Sequence, residues 1–152
     1  MQTITPFLWF DNNLEEALAF YTSIFKDSEI LNVNRAGPDG PIFTATFRLN
    51  GQTFMALNGG PMYKFTEALS LFVSVETQAE VDYLWDALLV GGEPSQCGWL
   101  KDKFGLSWQI IPTALGELMG DPDPAKSQRV MQAMLKMVKI DIQGLRDAHA
   151  GR

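Results

Sequence analysis

Apolar and polar positions follow strand and helix periods in turn along the chain. Residues 4–10, Ile-Thr-Pro-Phe-Leu-Trp-Phe, predict a short strand that Pro6 keeps near an edge or rim. Leu14, Ala17, Leu18, Tyr21 and Phe25 recur at helical spacing, which predicts an amphipathic helix over 14–26. Asp11, Asn12 and Asn13 supply turn and N-cap chemistry ahead of it, and Glu15 and Glu16 sit where the helix dipole favours acids. A strand over 29–35 and a loop over 37–41 follow. The segments 42–49 and 52–57 then predict two strands joined by Asn50-Gly51, a strong hairpin signal. Gly59-Gly60-Pro61 closes this half.

The same order then returns. Residues 69–75 alternate as a strand, and 79–90 carry Val81, Leu84, Trp85 and Leu88 on one helical face before Gly91-Gly92 stops them. Strands are expected near 98–100 and 106–111, joined through a turn at Gly105. On the last strand Ser107, Gln109 and Ile111 point one way and Trp108 and Ile110 the other, so one face meets a core and the other a cavity or water. A shift of about 65–67 residues superposes Phe10 on Val75, Leu14 on Val81, Ala17 on Leu84 and Tyr21 on Leu88. The chain therefore reads as one domain, 1–152, with a first module at about 1–61, a second at about 67–113 and a tail over 114–152. In the tail, Asp121-Pro-Asp-Pro124 is expected to break the chain, 127–138 to form a Met-rich helix and 139–142 a short extended piece. Asp141 is placed to cap a last helix through Ala148. The Met-rich helix is expected to serve packing or a dimer surface.

Composition narrows the partners. A net charge of −6 and no Lys/Arg cluster argue against a nucleic-acid partner. No run is apolar enough for a membrane span, the amino-terminal residues lack signal-peptide character, and the single cysteine fits a reducing cytoplasm. A small uncharged or amphipathic ligand remains as the partner class.

The opening run from Phe7 through Tyr21, the hairpin Leu49–Pro61, the stretch Cys97–Gln109 and the segment Ala133–Asp141 together resemble the PhnB-like group of the vicinal oxygen chelate superfamily, often labelled 3-demethylubiquinone-9 3-methyltransferase. The resemblance implies an α+β fold in which two βαβββ modules form a U-shaped sheet cup, here with an added C-terminal helical tail, and it implies a homodimer. In the metal enzymes of the superfamily, side chains from key strands hold a divalent ion in the cup. Those positions carry over to Thr5, to Ala56 or Asn58, to Ser70 and to Gln109. They are neutral oxygen donors at best, poor ligands for zinc, nickel or iron, so neither a metal nor another cofactor is expected. The methyltransferase label finds no support in a cofactor-binding glycine loop, because Gly59-Gly60 and Gly91-Gly92 read as a hairpin exit and a helix stop.

The reactive side chains offer other chemistry. Cys97 is a candidate nucleophile with no histidine near in sequence, and a structural thiol is the simpler reading. Asp11 reads as turn chemistry, Asp102 as a solvated hairpin residue, and Glu67 as an acid that could lean over the cup. The cup face is expected to hold Thr5, Phe7, Trp9, Phe54, Ala56, Asn58, Ser70, Phe72, Ser107 and Gln109, with Cys97 and Trp99 near its mouth. The leading expectation is metal-independent binding of a small organic ligand. A divalent-metal enzyme and a metal-free enzyme using Cys97 or Gln109 are the alternatives, as is a packed cup with no ligand.

Overall fold

The computed structural model describes residues 2–152, which divide into a unit ending at Phe65 and a second unit, Thr66–Arg152. Each unit contains one four-stranded sheet.

In the first unit the chain runs β1 (Phe7–Phe10), α1 (Leu14–Ile24), β2 (Ser28–Arg35), β3 (Ile42–Leu49) and β4 (Gln52–Asn58). The sheet order is β1-β4-β3-β2, parallel only between β1 and β4. Asn50 and Gly51, at φ 47° and 86°, turn the β3–β4 hairpin as its sequence required. Leu14, Ala17, Leu18, Tyr21 and Ile24 form the buried stripe of α1. That stripe covers the sheet face bearing Leu8, Phe10, Ala45, Phe47, Phe54 and Ala56, all buried.

The second unit repeats the plan with β5 (Ser70–Val75), α2 (Gln78–Leu89), β6 (Glu93–Pro94), β7 (Trp99–Lys101) and β8 (Ser107–Pro112), in sheet order β5-β8-β7-β6. Again one pair is parallel, β5 with β8. The buried stripe of α2, Val81, Leu84, Trp85 and Leu88, matches Leu14, Ala17, Leu18 and Tyr21 of α1 at the spacing the sequence shows. It packs on the face carrying Leu100, Trp108 and Ile110. Two details escaped the sequence reading: the two-residue strand β6, and a helix directly after β8.

That helix, α3 (Thr113–Met119), opens a tail completed by α4 (Pro124–Leu135) and α5 (Ile142–Ala150). Pro124 starts α4 instead of breaking the chain, because Asp123 accepts a hydrogen bond from the Ala125 amide and a proline at N1 has no amide to leave unpaired. Asp141 caps α5 through the Gln143 amide, as expected, and the extended piece at 139–142 is no strand. Ile111, Leu115, Val130, Ile140 and Leu145 form the tail core, with Met134 and Met137 against it. Each such fully buried aliphatic contributes about 1.5–3 kcal/mol. The tail is also laced to its unit by polar contacts. The Cys97 and Gly98 amides donate to Met137 O and Val138 O, each at 2.8 Å. The Gln78 side chain donates to Ile140 O at 3.0 Å and accepts from the Ile142 amide at 2.8 Å. Among the described residues no helix is long and apolar enough to cross a membrane.

Candidate functional site

Register decides which side chains share a face. In the first sheet Leu8 pairs with Ala56 and Phe10 with Asn58, so Phe7 and Trp9 lie beside Met55 and Leu57 instead. This corrects the expected cup face. Phe54 and Asn58, together with Ala56, belong to the side covered by α1, where Phe54 stacks on Phe47 at 5.4 Å. Asn58 is consumed there. Its Oδ1 accepts from the Leu14 amide at 3.0 Å and its Nδ2 donates to Ile42 O at 2.9 Å. It thereby does what an N-cap side chain would do, since Asn13 makes no capping bond of its own. In the second unit Thr77 caps α2 locally, accepting from the Glu80 amide and donating to the Glu80 carboxylate. Asn58→Ala is expected to cost about 1–3 kcal/mol by orphaning a helix-end amide and a strand carbonyl, read as a lower denaturation midpoint at unchanged slope.

The uncovered face of the first sheet holds Phe7, 50% exposed, with half-buried Trp9 and Leu57 and exposed Met55; Thr5 lies just ahead of β1, half-buried. Trp9 is fixed: its Nε1 donates to Gly60 O at 2.9 Å, and Tyr63 meets it edge-on at 4.9 Å. Gly59 is glycine for cause, since a Cβ there would fall 2.3 Å from the indole ring.

The face of the second sheet turned away from α2 is as the alternation on β8 required; the tail core covers it at Ile111, and the part beyond Ile111 is the uncovered face. One cross-strand row is Ser70, Ser107 and Lys101; the next is Phe72, Gln109 and Trp99. Gln109 Nε2 donates to Ser70 Oγ at 2.9 Å. Phe72 is 59% exposed, while Ser107 is 1% exposed and its hydroxyl has no hydrogen-bond partner. Glu67 forms an ion pair with Lys101 at the edge of this face. The hydrogen bond from Lys101 holds the Glu67 carboxyl below its ordinary range, and the same bond raises the lysine, so the pair is ionised at neutral pH.

One further candidate, Asp102, has a structural role. Asp102, expected in solvent, is 3% exposed. Its Oδ1 accepts from the Phe104 and Leu106 amides at 2.8 and 3.1 Å, and its Oδ2 from Trp108 Nε1 at 2.9 Å. The turn at Gly105 brings three donors onto one carboxylate, a geometry with no periodic sequence signal. Cys97 is half-buried at φ 58° on the loop before β7. The neighbouring lysines are engaged elsewhere, Lys101 with Glu67 and Lys103 over the Phe104 ring.

The donor set does not fit a transition metal. Thr5, Ser70 and Gln109 offer neutral oxygens, Asn58 is spent on α1, and its uncovered neighbours Met55 and Leu57 are thioether and hydrocarbon. Among the described residues no group of three or more His, Cys, Asp or Glu could hold an ion.

Residues 2–111 match the family model described as 3-demethylubiquinone-9 3-methyltransferase. The chain belongs to this family. A PhnB protein of this family from Bacillus cereus is 39% identical, with a TM-score of 0.67 over 73% of this chain and 99% of that one. Protein PA1353 from Pseudomonas aeruginosa has the same fold at 21% identity and TM-score 0.62, over 74% and 98% of the two chains. The fold is also that of a manganese-bound FosX fosfomycin resistance protein from Listeria monocytogenes, at 13% identity and TM-score 0.53 over 71% and 89%. No curated protein matches the chain. The family member is thus of PhnB-like, vicinal oxygen chelate type, with the α+β glyoxalase/bleomycin-resistance architecture. The resemblance expected at Ala133–Asp141 lies beyond the matched residues.

Proposed function

We propose that this family member binds a small organic ligand, without a metal, on the uncovered face of its second sheet. The observation that carries the reading is the row Phe72–Gln109–Trp99 beside Ser70 and Ser107: aromatic surface with a few aimed, neutral hydrogen-bonding groups. A FosX of the same fold is complexed with Mn(II), but among the described residues here no group of three or more His, Cys, Asp or Glu could hold such an ion. The methyltransferase wording belongs to the family model's name. Two four-stranded sheets with one parallel pair each are not the doubly wound parallel sheet that carries a cofactor-binding glycine loop. Homodimer formation is part of the same proposal, with exposed Phe7 and Met55, and Met131 and Leu135 on α4, as apolar surface to cover. A cytoplasmic setting suits the single thiol.

Metal analysis of the purified protein, paired with thermal melts, tests the reading. Added zinc, nickel, manganese or iron(II) is expected to leave the melting temperature unchanged. An organic ligand at a hundred times its dissociation constant should stabilise by about 2.7 kcal/mol. One metal per chain, with a lower melting temperature after chelation, would move a metal enzyme to the front.

A further inference from the structure

The second sheet's uncovered face is not chemically even. Its Phe72–Gln109–Trp99 row is aromatic and neutral, whereas the adjoining Ser70–Ser107–Lys101 row is rich in donors. Within that row the Ser107 hydroxyl, 1% exposed, finds no acceptor in the protein. A buried hydroxyl left unpaired costs about 1–3 kcal/mol, so such orphans persist where something else supplies the partner. Ser70 accepts from Gln109 and keeps its own proton to give. Lys101 has three N–H groups, and Glu67, the more exposed of the two, engages it. Two hydroxyl donors and one ammonium share this row, and the carboxylates that bear on the ammonium are the protein's own: Glu67, bonded to it, and Glu93, its cross-strand neighbour on β6.

We propose that this row is the head-group subsite for an anionic carboxylate, and that Glu67 occupies Lys101 in its place until such a ligand arrives. The proposal rests on the reading of this face as a ligand site and names the ligand class. Displacing Glu67 frees Lys101 to move off the row, and the incoming carboxylate accepts from the Lys101 ammonium and from the Ser107 hydroxyl. Residues two apart on a strand are about 7 Å apart along it. A carboxylate held at Ser107 therefore places a ring one or two carbons away against Trp99 and Phe72. Aryl carboxylates with a short spacer fit; the same ring bearing a neutral amide brings N–H groups to a row of donors.

Titration of the full chain with phenylacetate and with phenylacetamide, followed by amide chemical shifts of residues 99–110, separates the outcomes. Phenylacetate is expected to bind about tenfold tighter than the amide, the scale of one charge-assisted hydrogen bond. Glu67→Gln should tighten phenylacetate binding and leave the amide alone, because it removes a competitor from Lys101. Lys101→Met should erase the difference between the two probes, and Ser107→Ala should narrow it. Both charged side chains are more than a third exposed, so the Glu67 and Lys101 variants should fold, which a melt verifies. Equal affinities for the two probes, or a preference that survives Lys101→Met, would overturn the carboxylate subsite while leaving the ligand face standing. Shifts from neither probe on this face would remove both readings.

Discussion

Asp102→Ala is expected to lower stability by about 3–5 kcal/mol, a large share of the 5–15 kcal/mol that holds a domain together. The carboxylate accepts from two backbone amides and from the Trp108 indole, and at 3% exposure no water stands ready to replace it. Its removal strands three N–H groups, each costing about 1–3 kcal/mol, with some recovered as the hairpin relaxes. Asp102→Asn keeps the shape and an oxygen for the two amides, but sets an N–H donor near the indole N–H, so roughly half the loss is expected. Urea denaturation at neutral pH reads both. Near-equal midpoints for wild type and the Ala variant would mean that the hairpin holds without its anchor. Because Trp108 leads into Gln109, the same variant should disturb the uncovered face of the sheet while leaving its chemistry intact.

The second large effect is expected at Gly98. Its φ of 85° is costly for any side chain, by roughly 1–2 kcal/mol. A Cβ there would also lie 2.7 Å from Ile111 Cδ1, 3.0 Å from Ile140 Cγ1 and 3.1 Å from Ile110 O. Overpacking of this kind adds about 1–3 kcal/mol, and it pushes on the tail at the point where the Gly98 amide holds Val138 O. Gly98→Ala should therefore cost about 2–5 kcal/mol in total. Gly105→Ala is the control, since Gly105 has the same backbone sign, φ 86°, and nothing within 4 Å of its would-be Cβ. The control isolates the backbone contribution. Equal losses in the two variants would show that the tail yields to the extra methyl.

Most elements were legible because each carries a period. The stripes of α1 and α2, the Asn50-Gly51 hairpin and the alternation on β8 are local patterns, and they fixed the doubled plan. The helix α3 was not legible, for it begins within one residue of a strand and is only Thr113–Met119. On the second sheet, which side chains share a face was legible because Gln109 and Trp99 sit opposite each other on antiparallel strands whose turn is visible at Gly105. The first sheet was misread by one residue. Pairing between β1 and β4 is parallel and about 48 positions apart, as Leu8 with Ala56 shows, so no turn sets its register. That single step moved Phe54 and Asn58 to the wrong face. Asp102 failed for another reason: three donors gathered by one tight turn leave no mark on hydrophobic periodicity.

The two helix starts differ in where their first hydrogen bonds come from, and the difference matters while the chain is being made. Thr77 and Glu80 are three residues apart, so α2 can be secured almost as soon as it emerges. The Leu14 amide waits for Asn58, 44 residues downstream. At about 5–20 residues per second of synthesis, α1 stays unanchored for roughly 2–9 s. During that interval its apolar stripe still lacks the β3 and β4 strands it packs on.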